Sequence, residues 1–182
     1  MIVASNRDTV RTLDRSVRIR SLGLLAASCA ALVMAGTASA QEPAPAERFH
    51  SAAARALDAM VEEAGKRGMK GVAVVAFVPG EKTGEWSSRM RVVDGLVQGN
   101  ANVLAIAYCK LSEMADTLRD SGSQVRPPLH GELGYRGGAI RKTADGWLLA
   151  AFSGGKDTDD LDVANVGLDL LQKRPDAAAP GR

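Results

Sequence analysis

Few side chains in this sequence have types and spacing suited to chemistry. There are two histidines, His50 and His130. Counting back from Leu57 along a helix rotates His50 to within about 20° of an apolar stripe, among Ala46, Ala53 and Ala54. A neutral imidazole there can ligate a metal, and the alanines leave room for a flat group; the plainer reading is a solvated histidine at a helix start. His130 follows Pro127-Pro128-Leu129 and precedes Gly131, so it is either a second ligand or an exposed loop residue. Tyr108 and Cys109 share the second helix, with Cys109 pointing away from the Leu104/Leu111 stripe. The thiol is a candidate thiolate ligand or redox sensor, or simply a small neutral residue at a helix contact. Met69, Met90 and Met114 offer soft axial sulfur or ordinary core filling.

Ser153-Gly154-Gly155 ahead of a helix has the look of a phosphate cradle. Asp157, Asp159, Asp160 and Asp162 argue against that use, because they already answer the helix dipole and would repel a phosphate. The glycines then serve a tight strand-to-helix corner. The sequence holds no Gly-x-Ser-x-Gly and no recognisable His-Asp-Ser set, so hydrolase chemistry has little to build on. It also lacks Cys-x-x-Cys and His-x-x-x-His, which argues against a structural zinc site.

These residues must be positioned by a small set of elements. A first helix is expected from about Glu47 to Arg67, with Ala53, Leu57, Met60, Val61 and Ala64 as its apolar stripe and Gly68 just past its end. Gly71 to Val78 is a continuous Val-rich run and predicts a central strand buried on both faces, with Val72, Val74 and Ala76 on one and Ala73, Val75 and Phe77 on the other. Glu85 to Val93 is more polar and predicts a strand nearer the edge. A second helix is expected from about Asn102 to Arg119, capped by Asn100 or Asn102, then a loop from Ser121 to Gly131. Leu133 to Lys142 and Trp147 to Ser153 read as two strands joined around Asp145-Gly146. A last helix, about Thr158 to Lys173, carries two apolar stripes, Leu161/Ala164/Leu168/Leu171 and Val163/Val166/Leu170. Such a helix is covered on both sides, by the first helix or by a second subunit.

The N-terminus reads differently. Arg7, Arg11, Arg15, Arg18 and Arg20 precede an apolar run from Leu22 to about Met34, and Ala38-Ser39-Ala40 is a small-x-small cleavage signal. That order is a secretory signal peptide, with cleavage expected after Ala40. The alternatives are an uncleaved anchor and, less consistent with the residues before Cys29, a lipoprotein. The whole chain has 23 Lys+Arg and 21 Asp+Glu; without residues 1–40 there remain 18 basic and 19 acidic residues, a net charge of −1. No basic balance is then left for nucleic acid. Only Cys109 survives processing, and a lone cysteine closes no intrachain bridge. Residues 41–46 read as a linker, 47–175 as one domain, and 176–182 as a disordered tail.

The last third also carries a resemblance. Gly137-Gly138, the Asp145-Gly146 turn, Trp147 to Phe152, Ser153-Gly154-Gly155 and the helix Asp160-Leu161-Asp162-Val163-Ala164-Asn165-Val166-Gly167-Leu168 resemble the end of the GlcG/HbpS-like family. Gly68, Val72-Ala73-Val74-Val75 and Arg89-Met90 extend the likeness, which covers roughly 52–171. Arg126-Pro127-Pro128 departs from it, lacking the Thr that often follows Pro in the family. The resemblance implies an α+β domain, a profilin-like antiparallel sheet flanked by helices in the order α-β-β-α-β-β-α. It implies haem as cofactor, with His50 the leading axial ligand and Tyr108, Cys109 and His130 as further cofactor-binding candidates. Three functions follow: a periplasmic or secreted haem-binding protein for capture, buffering or sensing; an oxidative haem-degrading enzyme, for which no dedicated proton donor is visible; or a non-haem small-ligand or interaction module. A homo-oligomer is expected from the second apolar stripe of the last helix.

Overall fold

The computed structural model describes residues 42–173. The leader, its cleavage signal and the tail at 176–182 lie outside the described residues. Helix α1 (Pro45–Lys66) begins where Pro45 fits a first helical turn and the Glu47 carboxylate accepts from the Ala44 N–H at 3.2 Å. It ends as the Met69 N–H closes onto the Ala64 carbonyl at 2.9 Å. Strand β1 (Gly71–Pro79) follows, then β2 (Ser87–Val93), a two-residue pair β3 (Val97–Gln98) and β4 (Ala101–Asn102), and helix α2 (Val103–Thr117). Asn102 caps α2, its side-chain oxygen accepting from the Ala105 N–H at 3.1 Å. A long loop leads to β5 (Gly138–Lys142), β6 (Gly146–Ser153) and α3 (Asp157–Gln172).

The main sheet runs β2-β1-β6-β5 and is antiparallel throughout. Val74 on β1 sits opposite Met90 of β2 and Ala151 of β6. The expected alternation of β1 holds. Ala73, Val75 and Phe77 pack with α1 and α3, while Val72, Val74, Ala76 and Val78 pack with Ala107, Leu111 and Met114 of α2. Each such fully buried valine stabilises the fold by about 1.5–3 kcal/mol. The result is three layers, with α1 and α3 on one face and α2 on the other, an α+β arrangement as expected.

Three expectations are corrected. The strand predicted over 133–142 begins only at Gly138, and 133–137 stays loop. Leu133 and Tyr135 alternate like strand residues but face solvent, at 46% and 49% exposure, with no strand beside them. The short β3–β4 pair was not anticipated, since two residues per strand leave no periodicity to read. The two stripes of α3 merge: Asp160, Val163, Ala164, Gly167, Leu168 and Leu171 are buried, and Val166 and Leu170 flank them half-buried. Helix α1 provides the cover, so close at Gly167 that a Cβ there would lie 2.3 Å from Met60 Sδ.

Candidate functional site

The glycine-rich end of β6 is where buried chemistry gathers. Strand β6 finishes at Ser153 on the central part of the sheet, and α3 starts four residues later. Between them the chain presses against the start of β1, where a Cβ at Gly154 (φ +151) would lie 1.9 Å from the Lys70 carbonyl oxygen. From the opposite layer, α2 sends Lys110 around the end of the sheet. Its ammonium donates to the Phe152 carbonyl at 2.7 Å and to Asp160 Oδ2 of α3 at 2.8 Å. Both side chains are buried, at 3% and 4% exposure. Asp160 Oδ1 accepts from the Gly155 N–H at 2.8 Å. Gly137 (φ +114) admits the pair, because a Cβ there would lie 2.6 Å from Lys110 Nζ and 2.5 Å from Asp160 Cβ.

Burial pushes the Asp160 carboxyl up from its ordinary value, while the Lys110 ammonium and the backbone N–H groups of Gly155 and Gly154 pull it back. A cavity of about 250 Å³ opens over the pair, between the β3–β4 turn, the first half of α2 and the start of α3. Ser153, Tyr135, Val103 and Ile106 are on its walls. Sequence reasoning passed over Lys110 and took Asp160 as one acid among several. A signal existed: Lys110 falls three residues after Ala107 and four before Met114, and Asp160 four before Ala164. Each charge occupies an apolar-stripe position of its own helix.

The residues singled out from sequence do not come together. His50 is exposed on α1; Phe49 takes the buried position, stacked near Phe77 with ring centroids 6.1 Å apart. The apolar stripe has drifted one residue at this end of the helix, so His50 stands beside it, next to β2, whose Arg89 guanidinium donates to the His50 carbonyl at 3.3 Å. Tyr108 and Cys109 are half-buried on α2, across the sheet from α1, and Tyr108 Oη lies 3.2 Å from Ser88 Oγ. His130 is exposed in the loop after α2. Among the described residues no group of three or more His, Cys, Asp or Glu is placed to hold a metal ion.

Larger clefts open elsewhere among the described residues. One of about 480 Å³ at the start of α1 has Phe49, Phe77 and Leu148 on its floor and Arg48 and Lys142 at its rim. Another of about 630 Å³ lies between the β1–β2 turn and the second half of α2, beside Trp86 and Leu118. Neither is lined by a histidine, cysteine or methionine.

No family model matches the sequence, and no curated protein matches it. Among solved structures the chain is similar to a double mutant of HbpS from Streptomyces reticuli, at 22% identity and a TM-score of 0.42, covering 68% of this chain and 86% of that one. It is similar also to a second structure of HbpS, at 20% identity and a TM-score of 0.41, covering 68% and 89%. At TM-scores below 0.5 these likenesses carry no argument about what the chain does.

Proposed function

We propose that the protein is exported and binds haem, serving its capture, buffering or sensing. The observation that supports this reading is the run from Gly137-Gly138 through Ser153-Gly154-Gly155 into α3, whose sequence resembles the GlcG/HbpS-like family. Those residues build the packed corner around Lys110 and Asp160, so the resemblance falls on positions the fold depends on. Export is supported by the basic leader, the apolar run and Ala38-Ser39-Ala40.

In this reading His50 would be the residue that holds the haem iron. Its exposure suits a haem held at the surface by a single imidazole, and it does not suit a buried, doubly ligated one, because Tyr108 and Cys109 lie across the sheet. Arg89, beside His50, offers a guanidinium for a propionate. When bound, haem supplies an iron centre that a neutral imidazole can ligate. The half-buried Val166 and Leu170 on α3 support a homo-oligomer, and light scattering of wild type against Val166→Glu checks it by a drop in mass.

A haemin titration of wild type, His50→Ala, His130→Ala and Lys142→Glu tests the site. Wild type and His130→Ala give the same Soret shift, and His50→Ala loses or alters it. No Soret shift in any of them ends the haem reading. A shift lost in Lys142→Glu but kept in His50→Ala moves the haem to the cleft floored by Phe49 and Phe77 and removes His50 as ligand.

A further inference from the structure

The cavity over the Lys110–Asp160 pair has features the ion pair does not use. Ser153 is 3% exposed, yet its hydroxyl has no hydrogen-bond partner among the described residues. Its position on β6, opposite Val72, puts the side chain on the α2 face of the sheet, where the cavity lies. Among the described residues only Trp147 Nε1 is a fully buried side-chain polar atom without a partner, so the Ser153 hydroxyl keeps an accessible edge, toward the cavity. Lys110 adds a second unused group. An ammonium has three donors, and two are committed, to Phe152 and Asp160. Phe152 is the residue before Ser153, so the ammonium and the hydroxyl open on the same wall. Opposite them Ala101, Val103 and Ile106 give an apolar side, and the half-exposed Tyr135 phenol stands at the edge, also without a protein partner.

The charges around this space select what it takes. The Lys110 ammonium is neutralised by Asp160, and Asp157 adds a further carboxylate at the rim. An anion would meet those carboxylates, and a cation would meet the ammonium at the floor. Lys110 can only donate and Ser153 can donate, so the matching group is an oxygen that accepts twice and carries no charge. A carbonyl oxygen does so. The cavity is small, about 250 Å³, and open on one side, which suits a short molecule.

We propose that this cavity binds a small uncharged carbonyl compound, its oxygen toward Lys110 Nζ and Ser153 Oγ and its apolar part against Val103 and Ile106. The site is separate from His50 and stands whether or not haem binds, since it opens at the corner between β6 and α3 and no residue of α1 lines it.

The test is an NMR titration of the isotope-labelled protein with acetamide, and in parallel with acetate and methylammonium. Acetamide gives saturable shifts at the amides of Val103, Ser153 and Gly155, and acetate and methylammonium do not saturate there. Ser153→Val, which replaces the hydroxyl by methyl groups that a strand accommodates, weakens acetamide by about tenfold or more, the scale of a lost hydrogen bond to a charged-group network plus lost space. Tyr135→Phe, at a half-exposed position, folds as wild type does and keeps the titration measurable if Ser153→Val fails to fold; it weakens acetamide by a smaller factor. The proposal is overturned if no probe saturates, if acetate or methylammonium binds as tightly as acetamide, or if Ser153→Val binds acetamide with unchanged affinity.

Discussion

A lysine and an aspartate each stand where an apolar side chain would serve packing as well. Lys110 and Asp160 hold stripe positions on helices in different layers and meet at 2.8 Å. Their mutual attraction roughly offsets the loss of water around each, so the pair itself adds little net stability. Breaking it is another matter. Lys110→Met leaves the Asp160 carboxylate buried with only the backbone N–H groups of Gly154 and Gly155 beside it, and a loss of about 3–5 kcal/mol is expected. The double variant Lys110→Met/Asp160→Leu recovers most of that loss. Urea unfolding of the two variants measures it, and a double variant no more stable than the single one would show that the pair is not the source of the cost. This part of the site was legible in outline only. Each charge could be seen inside an apolar stripe, but a single sequence does not say which charge on one helix meets which on another. His50 misleads for a related reason. Its angular distance from Leu57 is correct for an ideal helix, but the buried stripe shifts to Phe49 at that end of α1, where Phe49 packs by Phe77.

Among the elements, β1 carries the core. All of Gly71 to Val78 is buried, and Val74 is fully so, between β2 and β6 and under α2. Val74→Asp puts an unpaired carboxylate there and costs several kcal/mol, about 4 or more, seen as loss of the folded protein or a steep fall in melting temperature. An unchanged melting temperature would contradict the burial. The strand was legible because a Val-rich run bounded by Gly71 and Pro79-Gly80 has one reading, and the helices because their stripes repeat at helical spacing. The loop after α2 was legible over 121–131, but its continuation to Gly137 was not, because the side-chain contacts that order it leave no periodicity to read. Arg126 donates to Glu132 at 2.6 Å and 2.8 Å and to Asp116 of α2 at 2.5 Å, while the Leu129 N–H donates to Glu132 at 2.8 Å. The Arg126 guanidinium, then the Leu129 N–H, hold the Glu132 carboxyl down at about 2 against 4.5. A carboxyl with a lowered folded value contributes stability above its unfolded value and loses it as pH falls. The clamp is therefore intact above about pH 4.5 and released between there and about pH 2. The protection of amides in residues 125–135, corrected for the intrinsic pH dependence of exchange, falls as the pH drops through that window in wild type, and in Arg126→Ala it is already low at neutral pH. Equal exchange in the two proteins at neutral pH would show that the clamp does not order the loop.

At the scale of the whole molecule, the residues after the expected cleavage site carry little net charge. The first capping contact is the Glu47 carboxylate on the Ala44 N–H, and Arg48 donates to the Pro43 carbonyl. Among the described residues the contacts of the first turn of α1 reach back to Glu42, whose carboxylate lies 4.0 Å from the Arg48 guanidinium. A cut after Ala40 leaves residues 41–44 ahead of α1 and spares those contacts. The apolar run from Leu22 to about Met34 is shorter than the ~20 residues that span a bilayer, which fits a segment that is threaded and removed rather than kept as an anchor. Among the described residues no helix is long and apolar enough to cross a membrane. Removal takes five arginines and two aspartates with it and turns the net charge from +2 to −1. The sequence thus predicts one mature species, starting at Gln41, in the fraction outside the cytoplasmic membrane. Intact-mass measurement of the protein recovered from that fraction checks it. A replacement of Ala38 and Ala40 by bulky residues leaves a longer species on the membrane, because the peptidase pocket takes small side chains at both positions. A mass that begins at residue 1 in the soluble cytoplasmic fraction would remove export, and with it the proposed encounter with haem outside the cell.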